Sequence, residues 1–455
     1  MALFWLIDPP NKSCYYHSMK LSRFRENLRQ FFLWLTPGLG VKRWLAMVLG
    51  GITLLGVGLA YYLLDFYRTA PETWWLPALS VAALRFLPRP LRVLIFGGIG
   101  VGIVAYGLWG LNRALLLPFL RPGKQVVDEL NHYRRRGRGP RIVVIGGGHG
   151  LSTLLRGLKA YTHNLTAVVT VADDGGSSGK LRESMGILPP GDIRNCLAAL
   201  SNDEAMMTQL FQYRFSESDG LGGHSFGNLF ISALSNITGS FEEAIAESGR
   251  VLSVHGRVLP STLHDVKLVA DMSLPHSAYE VRVEGESRIP EFAGRVRRVW
   301  LEPDDAPAFP PVIKAILSAD VIVIGPGSLY TSILPNLLVA DIASAVRASR
   351  ALKLFICNVA SQTGETDAYS CYDHLAAIEA HVGKGLVELV IANDCHEATL
   401  PEDSQWVDIG DELSGDRRLY TADLLDREHP WRHDADSLAQ TIINLYEERT
   451  GPLGG

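Results

Sequence analysis

The chain is poor in cysteine. Its five cysteines, Cys14, Cys196, Cys357, Cys371 and Cys395, are odd in number and no two form a C-x-x-C pair. That excludes a disulfide framework and a zinc knuckle, and leaves small buried thiols of a reduced compartment. Charge is modest as well, 20% of residues against 47% hydrophobic, and 44 Gly and 24 Pro in 455 residues follow no period. Disordered, collagen-like and coiled-coil chains are excluded. No internal repeat is visible, and no Ser-His-Asp context, nucleophile elbow or H-E-x-x-H pair is read in the chain. Cations are scarce after residue 140: residues 1–140 hold 18 Lys and Arg against 6 Asp and Glu, and the remainder 25 against 42. So acidic a part is a poor holder of a nucleic-acid backbone, and nucleic acid is not an expected partner. Its acidity fits a domain that concentrates its few cations in one pocket.

What the N-terminal part has instead is apolar length. Leu45 to Leu64 is a twenty-residue run without charge, and Val93 to Leu111 is a second, rich in glycine. Each is long enough to cross a hydrocarbon core of about 30 Å, and small residues suit close helix packing in lipid. Trp74 to Leu87, short and interrupted by Pro77 and Arg85, reads as interfacial. Lysines and arginines crowd before the first run and after the second, which places both ends in the cytoplasm and the anchor in the inner membrane. The expected organisation is a basic cytoplasmic segment over 1–44, a membrane anchor with two transmembrane helices over 45–111, a basic juxtamembrane linker over 112–140, and a soluble domain over 141–455. The mean hydropathy of +0.11 is high for a wholly soluble protein.

In the soluble part, apolar runs of strand length alternate with helical patterns. Arg141 to Ile145 and Ala167 to Ala172 flank a helix from about Ser152 to Tyr161, and Asp320 to Ile324, Lys353 to Cys357 and Leu386 to Ala392 are continuous, as buried parallel strands are. The pattern predicts an α/β fold with a doubly wound, Rossmann-like parallel sheet. Between Val251 and Leu301 the period changes to two, predicting a small antiparallel insertion. The tail is irregular after about Asp403, until a last helix over Ala435 to Glu448.

Three loops follow predicted strands. Gly146, Gly147, Gly148 and Gly150, ahead of Ser152, form a cradle whose backbone N–H groups suit a phosphate or carboxylate at a helix N-terminus. Leu151 stands where the dinucleotide fingerprint needs its third glycine, so NAD binding is not indicated. Asp173 and Asp174, followed by Gly175, Gly176, Ser177 and Ser178, could accept ribose hydroxyls or hold magnesium, with donors for an anion beside them. Leu181 after Gly179-Lys180 removes a Walker reading. Gly325, Gly327, Ser328, Tyr330 and Thr331 form the third cradle. Asn195, His224 and Asn228, in two further polar turns, could read a base or sugar. Near the C-terminus Arg432 could clamp a phosphate, with Asp434 as a helix cap.

Taken together, IGGGHGLSTLLRGLK, TVADDGGSSGKLR, LPPGDIRNCL, LFQYRF, GHSFGNL, ADVIVIGPGSLYTSILPNLLV and the stretch from Cys357 to His374 closely resemble the bacterial YvcK family, the gluconeogenesis factors, relatives of the CofD 2-phospho-L-lactate transferases. The resemblance covers about residues 140 to 448, and His149 departs from it where the family's turn has Thr. It implies a CofD-like fold, binding of a UDP-sugar with UDP-N-acetylglucosamine the expected ligand, and a regulatory role in carbon flux, cell envelope and cell shape, with an unidentified protein partner. A CofD-like phospholactate transferase, with Asp173 and Asp174 holding Mg2+, is the alternative. Homo-oligomerisation is left open.

Overall fold

The computed structural model of the chain describes residues 139–450 apart from 202–203, 217–219, 275–278 and 293, together with scattered residues between 49 and 106. The chain divides into two compact units, 1–134 with residue 455, and 135–454. Most of the two apolar runs expected to cross a membrane lies outside the described residues. Among those that are described, no single helix is long and apolar enough to cross one.

The second unit is built on seven parallel strands. β1 (Ile142–Gly146) is flanked on one side by β2 (Leu165–Val169) and β3 (Arg257–Pro260), and on the other by β7 (Val321–Ile324), β8 (Leu352–Ile356), β9 (Leu389–Asn393) and β10 (Leu419–Ala422). Val144 pairs with Ala167 on one side and Val323 on the other. Apart from Lys353 in β8, which pairs with Glu388, the central strands are apolar, and they are buried along their length because helices cover both faces. The chain winds outward from β1 in one direction, then returns beside β1 to wind in the other. The order therefore reverses between β1 and β7, and a doubly wound sheet opens a crevice at that point, outside the carboxyl ends of the strands.

α1 (Gly148–Leu158) is the crossover from β1 to β2. It packs so closely on the last helix, α11 (Ala435–Thr450), that a Cβ on Gly157 would collide with the Ala435 carbonyl oxygen. Asp434 caps that last helix, its carboxylate accepting the Ser437 N–H at 2.8 Å. α2 (Gly176–Met185) and α3 (Gly191–Leu200) follow β2, and α5 (Phe226–Thr238) starts at Ser225. α4 (Glu204–Gln212) and α6 (Phe241–Val251) follow in the same stretch of chain, α7 (Pro310–Ser318) leads into β7, α8 (Leu334–Leu337) and α9 (Ala340–Ala348) join β7 to β8, and α10 (Cys371–Val382) joins β8 to β9.

The expected antiparallel insertion is present as β4 (Lys267–Ser273), β5 (Glu280–Glu284) and β6 (Arg295–Glu302), in the order β5-β4-β6. Two strands differ from the sequence reading. β3 lies in the stretch read as insertion yet pairs parallel with β2, and β10 lies in the tail read as irregular. Both are four-residue edge strands with a single neighbour, too short to show a periodicity.

Candidate functional site

The turns after β1 and β7 meet across the crevice. Gly147 is extended, and Gly148, the first residue of α1, has φ +65, a left-handed conformation open chiefly to glycine. On the facing turn Gly325 has φ +82. A Cβ on Gly150 would lie 2.8 Å from the Pro326 carbonyl oxygen, so the backbones approach as only glycine permits. The Asn336 amide fastens the two sides, donating to the carbonyls of Gly146 at 2.9 Å and Ser332 at 2.7 Å. Between them lies a cavity of about 520 Å3. Gly147, Gly148, His149 and Gly150 line one wall, and Gly327, Ser328, Thr331 and Ser332 the other. Asn358 and Gln362, after β8, steady the second turn by donating to the Gly327 carbonyl at 3.0 Å and the Ser328 hydroxyl at 2.7 Å. Trp431, Arg432 and His433 close the C-terminal side. His433 is buried and donates from Nε2 to the Cys357 carbonyl at 3.1 Å, and burial pushes it down to about 4, so it is a neutral peg beneath Arg432.

The cavity is lined by charge of both signs. Three carboxyl groups, Asp173, Asp192 and Glu286, line it together with Arg432. Asp173 accepts the Gly175 N–H at 2.8 Å and is also bonded by the Ser178 hydroxyl, and burial raises its pKa despite these donors. Burial, then the neighbouring Asp173, pushes Asp192 up to about 6, although the Gly148 N–H bonds to it. Glu286, on the turn after β5, is pushed up to about 8 by burial and then by Asp173 and Asp192. Burial, followed by the fields of Arg432, Arg194, Arg156 and Arg214, lowers the pKa of His149. Anionic groups are drawn to Arg432, and hydroxyl or cationic groups to the acids.

The structure sorts the residues singled out in the sequence into three places. Gly147, Gly148, Gly150, Asp173, Gly327, Ser328, Thr331 and Arg432 line the cavity. Gly146, Ser152, Gly175, Gly325 and Tyr330 support it: Ser152 donates to the His149 carbonyl, and the buried Tyr330 hydroxyl meets that of Tyr369 at 2.9 Å. Ser178 supports it too, accepting the Gly191 N–H and donating to Asp173. Ser177, Asn195, His224 and Asn228 form a separate polar cluster around the buried Arg194, whose guanidinium donates to Ser225 and to Asn195 Oδ1. Gly176 lies exposed at the start of α2. Asp174 accepts the Ser287 N–H at 2.9 Å. Among the described residues no three or more His, Cys, Asp or Glu side chains are placed so that they could hold a metal ion.

Gly175 to Gly179 does carry the G-x-S-x-G spacing that the sequence reading passed over, and Ser177 meets His224 Nδ1 at 3.1 Å. Ser177 is only 5% exposed, lies outside the cavity, and accepts a further bond from the Asn228 amide. The contacts describe a clamp between α2 and the 222–228 turn. Sequence reasoning also missed Asp192, Glu286, Asn358 and Gln362. Asp192 sat inside a motif already noted, PPGDIRN; Glu286 carried no local signal.

The sequence profile of the 2-phospho-L-lactate transferase CofD family matches residues 142–450. A protein of Nostoc sp., provisionally named a gluconeogenesis factor, is 45% identical over 445 residues, 93% of this chain and 94% of its own length. The gluconeogenesis factor of Bacillus subtilis is 44% identical over 327 residues, all of that protein but 69% of this chain. A crystal structure from Bacillus halodurans, of a protein of the upf0052 family, superposes with a TM-score of 0.62 at 42% identity, covering 67% of this chain and 99% of that one.

Proposed function

The chain belongs to the CofD family and, within it, to the gluconeogenesis factors, and on that premise we propose that it binds a nucleotide sugar in the cavity between β1 and β7. UDP-N-acetylglucosamine is the ligand expected from the family resemblance. The protein then acts as a regulator of carbon flux and of cell envelope and shape, its ligand state being read by a protein partner.

The observation that carries this reading is a cavity lined by charge of both signs. A diphosphate suits Arg432 and the turn after β7, and a polyhydroxylated sugar suits the carboxyl groups.

The name of the matching profile supports a second reading, a transferase joining a phospholactate-type group to a deazaflavin acceptor. The two separate in one assay. The purified protein is incubated with UDP-N-acetylglucosamine, and separately with a phospholactate donor and deazaflavin. Binding of the first without a product from the second supports the regulator. Sustained product that the Asp173→Asn protein cannot make would establish the transferase.

We further propose that the runs 45–64 and 93–111 anchor the protein in the inner membrane with the second unit in the cytoplasm. Support comes from their uncharged length and flanking cations. The Nostoc relative covers 93% of this chain, so it shares most of this N-terminal part, whereas the Bacillus subtilis protein, matched over its whole length, covers 69%.

A further inference from the structure

Beyond the end of β8, residues 359–361 run antiparallel to residues 405–407. The Ser361 N–H donates to the Gln405 carbonyl at 2.8 Å and the Val407 N–H to the Val359 carbonyl at 3.1 Å, so Ala360 and Trp406, which stand opposite each other, share no bond. In such a pair the N–H and C=O of each residue point to the outer edge of the ribbon. Ala360 lines the cavity and is 5% exposed, and neither its N–H nor its C=O has a hydrogen-bond partner among the described residues. An unpaired backbone group that is buried costs about as much as a lost hydrogen bond, and here a donor and an acceptor are left open side by side at the cavity wall. A second observation concerns Trp431. It is the only Phe, Tyr or Trp among the described residues that line the cavity, and its large ring stays 41% exposed. The bond from His433 to the Cys357 carbonyl ties the segment that carries Trp431 to the chain leaving β8, three residues before Ala360. The Arg432 guanidinium lies 5.8 Å from the indole, so a ring on that indole brings its attached phosphates to Arg432.

We propose that Ala360 and Trp431 form the nucleobase subsite: uracil lies against the indole, its N3–H donates to the Ala360 carbonyl, and an adjacent ring carbonyl accepts the Ala360 N–H. This rests on the nucleotide-sugar reading and gives the ligand a direction, from the base at Ala360 and Trp431, through the diphosphate at Arg432, to the sugar at the carboxyl groups. Stacking supplies affinity that every base can share, and the backbone pair supplies the selection. A base methylated at N3 loses its donor and leaves the Ala360 carbonyl buried and unpaired.

The test is calorimetric titration of UDP and of 3-methyl-UDP, whose uracil carries a methyl group on N3, into the full chain, and of UDP into its Trp431→Ala and Trp431→Phe variants. UDP is expected to bind at least about tenfold more tightly than 3-methyl-UDP. Trp431→Ala is expected to weaken UDP at least about fivefold, and Trp431→Phe, which keeps a ring, to recover most of that loss. Equal affinity for UDP and 3-methyl-UDP overturns the bonded base and needs no variant; an unchanged UDP affinity in folded Trp431→Ala overturns the stacking surface. If the unaltered protein binds neither UDP nor UDP-N-acetylglucosamine, the nucleotide-sugar reading itself falls. If it binds both and neither methylation nor Trp431→Ala matters, binding stands and this subsite does not.

Discussion

The carboxyl group of Asp192, in the first turn of α3, is bonded by the N–H of Gly148, the group that the glycine turn after β1 was expected to offer to a phosphate. The protein thus places an anion of its own at the mouth of the first cradle. A Cβ on Gly147 would collide with the same carboxylate, which shows how tightly the turn wraps it. The diphosphate is consequently assigned to Arg432 and to the turn after β7, with the first turn shaping the cavity wall.

Replacing Asp192 with Ala therefore has a sign that is easy to read. It releases one N–H and removes a negative charge beside the ligand. We expect UDP to bind more tightly by roughly 1 kcal/mol, or about fivefold. Calorimetry on the folded variant checks this, and weaker UDP binding would contradict the reading of Asp192 as an anion that competes with the phosphates.

Gly148 and Gly157 separate function from packing within one helix. At Gly148 an added Cβ meets only the Ser332 hydroxyl, at 3.8 Å, so Gly148→Ala costs chiefly the left-handed backbone, about 1 kcal/mol, while placing a methyl group in the cavity. At Gly157 the methyl would press into the backbone of α11, and Gly157→Ala is expected to cost about 2 kcal/mol by overpacking. Denaturant titration should rank Gly157→Ala as the less stable, and ligand titration should rank Gly148→Ala as the weaker binder.

The buried acids give stability a pH dependence. Glu286 and Glu365 are pushed up to about 8 and about 7 from an ordinary 4.5, so the folded chain holds protons that the unfolded chain releases. Their contribution is complete below 4.5 and is lost as pH rises through 7 and 8. His433 works in the other direction: lowered to about 4 from 6.5, it adds stability as pH rises to 6.5 and nothing beyond. Between about pH 6.5 and 8 the acids act without that opposition, and Tm should decline. Glu286→Gln should flatten the decline; an unchanged slope would mean that Glu286 does not hold its proton.

A chain starting at residue 139 should fold, because the first residues of the second unit are tied into it. Arg141 pairs with Asp320 at 2.6 Å, and Thr162 donates to the Pro140 carbonyl at 2.9 Å. The truncated protein is expected in the soluble fraction of a lysate and the full chain in the membrane fraction. A soluble full chain would remove the anchor, and an aggregated fragment would mean that the N-terminal part completes the core.

The central strands were legible because burial on both faces writes an unbroken apolar run, as in Ile142–Gly146 and Val321–Ile324. β3 and β10 were not, since an edge strand keeps polar residues and β3 closes on Pro260. In the site, the turns were legible because glycine at a strand end has a local geometric reason. Asp173 and Asp174 were not distinguishable, being alike in sequence and separated only by what each side chain meets in the fold. Glu286 was out of reach for the same reason in a stronger form: it reaches Asp173 only through the folded antiparallel sheet, 113 residues further along the chain.

The central claim is that Arg432 and the turn after β7 hold the diphosphate of a nucleotide sugar. The most direct measurement is calorimetric titration of UDP-N-acetylglucosamine into the full chain and into its Arg432→Ala variant, with circular dichroism to confirm that the variant is folded. We predict one saturable site in the unaltered protein, weakened at least about tenfold in Arg432→Ala, which is 1.4 kcal/mol. No binding to the unaltered protein, or equal affinity in the folded variant, would contradict the account.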